Sequence, residues 1–65
     1  MKWVLLPGGD WIAQGEKGHF LLWKEYVGWK ALYMVEVGRV VKFRLWDRSL
    51  KNLKKRCEEN YYWEA

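Results

Sequence analysis

Apolar positions along this chain follow two different rhythms. From residue 3 to residue 46 they come in short runs rich in aromatic and β-branched side chains, and glycine-bearing breaks separate the runs. From residue 47 onward they recur at helical spacing, with Leu50, Leu53, Cys57 and Tyr61 on one stripe. The first rhythm predicts strands and the second an amphipathic helix. Strands are expected over residues 3–6, 11–14, 19–26, 29–36 and 39–46. The breaks between them are Pro7-Gly8-Gly9-Asp10, Gly15–Gly18, Val27-Gly28 and Val37-Gly38. Pro7-Gly8 fits the centre of a type II turn, because proline sets φ and glycine accepts a positive one. A helix is expected over residues 47–61, with Asp47 or Ser49 as its N-cap; neither has Glu or Gln three residues later to complete a capping box.

These elements predict an α+β chain. A small antiparallel meander of three main strands (19–46) is joined by a short N-terminal hairpin (1–14), and the C-terminal helix (47–61) packs on one sheet face. The hairpin either extends the sheet or folds across it. If Val27-Gly28 and Val37-Gly38 are both two-residue hairpin loops, Trp23 faces Leu32, Leu21 faces Met34, Met34 faces Val41 and Leu32 faces Phe43. Glu25 then pairs with Lys30 and Glu36 with Arg39. Alternation gathers Leu21, Trp23, Leu32, Met34, Val41, Phe43 and Leu45 on one face, the expected core under the helix. The other face would carry Phe20, Leu22, Lys24, Tyr26, Trp29, Ala31, Tyr33, Val35, Val40, Lys42, Arg44 and Trp46, with no acidic residue among them. Either the hairpin or a second subunit covers that face through Trp3, Leu5 and Trp11, or part of it stays open.

Length makes stability a concern. Sixty-five residues suit one domain, 1–65, and a chain this short buries only about 60% of its unfolded surface. One cysteine excludes an intrachain disulfide, and one histidine with one cysteine cannot furnish a four-ligand zinc site. Packing must carry the fold, and aromatic residues at 18% of the chain, six of them tryptophan, supply the bulk. The start MKWVLLPGGD lacks the long apolar core of a signal peptide, and no run approaches a membrane span. A cytoplasmic protein with a reduced Cys57 and no membrane partner is expected.

Catalytic chemistry is not expected. Gly15-Glu16-Lys17-Gly18 lacks the spacing of a phosphate-binding loop. Ser49, the one serine, is accounted for as a cap, and Cys57 falls in the buried stripe beyond the first helical turn, where a reactive thiolate has no support. No cofactor, metal or small-molecule substrate is expected. Charge carries more information. The net charge is +4, and the outward side of the helix runs from Arg48, Lys51, Lys54, Lys55 and Arg56 to Glu58 and Glu59. That order opposes the helix dipole, with Lys54–Glu58 and Lys55–Glu59 pairs offsetting part of the cost.

The order of strands followed by a helix over residues 19–61 resembles small sheet-plus-helix DNA-binding modules, including the arm-binding domains of phage-type integrases. The likeness lies in element order and transfers no residue role. The expected function is a small non-enzymatic binding protein that contacts nucleic acid through a basic and aromatic surface. Two cationic sets are candidates, Lys24, Lys42 and Arg44 on the sheet and Arg48, Lys51 and Lys55 on the helix. The first alternative is a protein-interaction or homodimerisation module using Tyr26, Trp29, Tyr33 and Trp46, with Tyr62 and Trp63 as terminal anchors. The second is a small accessory protein, like those of phages, acting on a host protein.

Overall fold

A computed structural model describes residues 1–35 and 37–64, residues 62–64 by their backbone alone. Strands β1 (Trp3–Leu5), β2 (Trp11–Gln14), β3 (Gly18–Lys24), β4 (Trp29–Val35) and β5 (Val40–Asp47) pair in chain order as one antiparallel sheet, and helix α1 (Leu50–Glu64) follows. The chain is therefore α+β. The N-terminal hairpin extends the sheet, with Trp11 opposite Leu22 and Ala13 opposite Phe20.

The turns differ from expectation in ways that reset the pairing. In the first hairpin Gly9 N–H donates to Leu6 O at 2.9 Å, and Gly9, not Gly8, takes the positive φ of 95°. The Pro7-Gly8 turn is thus not type II, because its third residue lacks the positive φ that type demands. Between β3 and β4, Lys24 stands opposite Trp29, and four residues make the connection instead of two. Glu25 N–H donates to Gly28 O at 3.0 Å, and Gly28 sits at φ 81°. Leu21 therefore faces Leu32 and Trp23 faces Lys30. The displacement is by two residues, so each side chain keeps its face.

Between β4 and β5 the error changes faces. Val35 faces Val40 and Met34 faces Val41, as the short loop predicts, but a bulge follows and Tyr33 faces Phe43, with Ala31 opposite Leu45. One extra residue on β5 reverses every later side chain of that strand. Phe43 and Leu45 leave the expected company of Leu21 and Leu32 and join Phe20 and Tyr33. Arg44 and Trp46 cross the other way. Glu36, the expected partner of Arg39, lies outside the described residues.

The helix covers the face opposite to the expected one. Its stripe is as expected, with Leu53 and Cys57 fully buried and Leu50 and Tyr61 packed beside them. What lies beneath is a cross-strand row of Trp3, Ala13, Phe20, Tyr33 and Phe43, then a second row of Trp11, Leu22, Ala31 and Leu45. Phe20 lies 4.7 Å from Tyr33 and 5.7 Å from Phe43 between ring centroids, and Tyr61 of the helix meets Phe20 and Tyr33 edge-on. The small residues Ala13 and Ala31 leave room for this second layer. The Tyr61 hydroxyl accepts the Glu16 N–H at 2.8 Å, which fastens the end of the helix to the β2–β3 turn. At the other end Ser49 is the N-cap, its Oγ accepting from Asn52 N–H at 3.3 Å. Asp47 supports the cap instead, its carboxylate accepting from Ser49 N–H at 2.9 Å.

Two outcomes test this packing. Leu22→Ala is expected to cost about 2–5 kcal/mol in urea unfolding, as for a fully buried leucine, while its neighbour Leu21→Ala costs less than half as much because Leu21 points to the open side. Equal costs would contradict the face assignment. Burial pushes the Cys57 thiol from 9.0 up to about 12. The thiolate is thus disfavoured in the folded state, so the stabilising contribution is complete below pH 9 and is lost as the pH rises toward 12. The stability difference between the wild type and Cys57→Ala is expected to narrow across that window; a difference independent of pH would contradict the burial of the thiol.

Candidate binding face

With the helix on one side, the other sheet face carries a second set of apolar side chains. Cross-strand pairing arranges them in rows. Val4, Ile12, Leu21 and Leu32 run from β1 to β4, ending at Arg44 on β5. His19, Met34 and Val41 form the next row, beside Gln14. Trp23, Lys30 and Trp46 form a third. Ile12, Leu21, Trp23, Leu32, Met34 and Val41 are all partly exposed, and Val4 and Trp46 are 46% and 44% exposed. No described element lies over them.

The tryptophan end of this face is held in place by the β3–β4 turn. Trp23 Nε1 donates to the Glu25 carboxylate at 3.0 Å, and Lys30 Nζ approaches the same oxygen at 3.6 Å. The expected Glu25–Lys30 pair thus forms, reached diagonally because Lys30 is opposite Trp23. Trp46 Nε1 donates to Val27 O at 3.0 Å. Its ring passes so close to the turn that a Cβ on Gly28 would stand 2.7 Å from it. Glycine is required there twice, for φ and for space. Both indoles are therefore held in fixed orientations, and a hollow of about 290 Å³ opens between them, lined by Lys30 and Arg44 among others.

The expected candidates divide between the two faces. Tyr33 is core at 2% exposure, and Trp29 packs on the helix side under Lys24, whose Nζ stands 5.7 Å from the ring. Tyr26 is fully exposed at the turn. Trp46 alone of the four lies on the open face. Lys24 donates to Gly28 O at 3.3 Å, Lys42 borders a hollow with Lys17, Tyr33 and Val35, and Arg44 is on the open face. Lys24, Lys42 and Arg44 thus do not form one patch. The side chains of Tyr62 and Trp63 lie outside the described residues. Trp23, Lys30, Leu21, Leu32 and Met34 are the site residues the sequence reading assigned elsewhere. The signal for them was the pair Ala13 and Ala31, whose small size marks the helix side.

On the helix, the basic series is thinner than its sequence. Lys54 Nζ sits 3.4 Å from the Trp11 ring centroid and 5.8 Å from that of Trp3, a cation–π contact that seals the edge of the core. Glu58 meets the N-terminal ammonium at 3.5 Å, so the expected Lys54–Glu58 pair does not form. Arg56 turns back to Trp46 O at 2.7 Å and to Asp47 at 3.3 Å. Arg48, Lys51 and Lys55 remain exposed and have no ion-pair partner among the described residues.

The cysteine and the histidine of the chain are not brought together. Cys57 is enclosed beneath the helix and His19 stands on the opposite sheet face, so the sheet separates the two. The described residues contain no cluster of three metal-binding side chains and no helix long and apolar enough to cross a membrane. The long exposed edge, β5, carries Lys42, Arg44 and the bulge, features that discourage strand addition. On the open face, by contrast, the uncovered side chains are largely apolar. No family model, curated protein or solved structure matches this chain.

Proposed function

We propose that this is a small non-enzymatic binding protein whose open sheet face holds another protein chain. The observation that carries this reading is the row of Val4, Ile12, Leu21 and Leu32, left partly exposed on a sheet whose other side already has its helix. A contiguous apolar surface in water costs free energy that a partner recovers on covering it. The fixed indoles of Trp23 and Trp46 suit an anchor role, since rigid aromatics contribute contact area at little entropic cost. A benzophenone amino acid replacing Leu32 is expected to crosslink to protein in living cells, and one replacing Lys55 to do so far less. Crosslinks from Lys55 alone would overturn this reading.

Nucleic-acid binding is the second reading, and it is favoured by the exposed cations Lys51 and Lys55 of the helix and Arg48 just before its N-cap. Three exposed cations of a +4 chain, with no ion-pair partner among the described residues, fit a phosphate backbone better than an apolar groove. On that reading, DNA or RNA binds at about 50 mM salt and weakens steeply as salt rises. Replacing the three cations with glutamine would remove the binding. Absence of binding at low salt would end it.

A further inference from the structure

We infer that the chain covering the open face is a second copy of this protein, packed sheet to sheet about a two-fold axis parallel to β3. The inference rests on the reading of that face as a protein-binding surface and names its occupant. The argument is charge placement. The β1–β2 hairpin closes with Leu6 N–H donating to Asp10 O at 2.7 Å. Continuing the β2–β3 pairing one step past Trp11 and Leu22 sets Asp10 beside Trp23. Strand alternation puts it on the same face as Ile12. The Trp23 row therefore reads Asp10, Trp23, Lys30 and Trp46 across the sheet, with the acid one strand to one side of β3 and the base one strand to the other.

A two-fold axis parallel to β3 lays β2 over β4 and β1 over β5 of the other copy. Asp10 then meets Lys30 of the partner subunit, and Lys30 meets the partner's Asp10, so one rotation forms two ion pairs. The same rotation puts Ile12 against the partner's Leu32 and brings Leu21 and Trp23 to the axis. Arg44, at the far edge of the Val4 row, lays its aliphatic stem along the partner's Val4 with the guanidinium at the rim. No cation of the strands is set against a cation of the other copy; Glu25, just past the end of β3, comes near the partner's Glu25, each offset by the Lys30 of its own copy at 3.6 Å. Reciprocal contact of this kind is the signature an isologous interface requires.

Area sets the strength of the association. Strands of 3, 4, 7, 7 and 8 residues, spaced about 4.8 Å apart, present roughly 460 Å² in projection from each copy. Two such faces reach roughly 900 Å², the size of a weak, reversible interface. Aligned sheets stack about 10 Å apart, which leaves room for both layers of side chains. The helices lie on the outside of this sandwich, and Arg48, Lys51 and Lys55 stay accessible.

Sedimentation equilibrium on the purified chain tests the assignment. Twice the 7.9 kDa chain mass is expected at high micromolar concentration. Asp10→Lys and Lys30→Asp are each expected to weaken association at least about tenfold, and the double variant to recover most of that loss. Leu32→Glu is expected to be monomeric; if it fails to fold, the charge exchange at the rim still decides. A wild-type chain that stays at single mass up to roughly 1 mM overturns the inference. So does a double variant as weak as the single ones. If the pure chain is monomeric while the Leu32 crosslinker captures a different protein in cells, the second-copy assignment fails and the open-face reading stands. If the pure chain is monomeric and Leu32 captures nothing, both fail.

Discussion

The contact between the aromatic row of the sheet and the stripe of the helix is the interaction on which the rest of the molecule depends. Phe20, Tyr33 and Phe43 come from three adjacent strands, and Tyr61 closes over them from the helix. Each such ring pair adds about 0.5–1.5 kcal/mol beyond its buried area. The cluster also joins elements distant in sequence, which a chain with a single cysteine needs because no intrachain disulfide can do so. Its hold extends outward through the Tyr61 hydroxyl to the β2–β3 turn and through Lys54 to the indoles of Trp3 and Trp11.

One helix covers one face, and that limit creates the candidate site. The strands are apolar on both sides, so choosing the Phe20 side for the core leaves the Leu21 side facing water. The bulge in β5 sharpens the division. It delivers Phe43 and Leu45 to the helix and sends Arg44 and Trp46 to the open face. A single additional residue therefore completes the core and gives the other face both a second fixed indole and a second cation. Without it, Phe43 would stand in water and Trp46 would lie on the helix side.

Much of this was legible from the chain itself. Strand positions, the hairpin, the helix and its stripe of Leu50, Leu53, Cys57 and Tyr61 all follow from local spacing, because backbone geometry imposes the periods of two and 3.6. The Glu25–Lys30 pair was legible too. What failed was long-range. The Val27-Gly28 loop takes four residues because Gly28, at positive φ, closes a hydrogen bond back to Glu25. The bulge has no marker in RVVKFRLW. Lys54 and Arg56 read as solvated charges, yet one lies on an aromatic ring and the other on a backbone carbonyl.

By itself, then, the sequence determined the elements, their order and the supply of apolar surface, because each is a property of a short segment obeying its own steric period. Tertiary structure alone decided which apolar face the helix covers. That choice follows the size of the side chains: the small residues Ala13 and Ala31 lie on the face whose buried cluster Leu53 and Cys57 complete, while Leu21, Leu32, Met34 and Trp23 are all large. Alternation is blind to that difference, since it counts hydrophobic positions and not the size of the side chains at them.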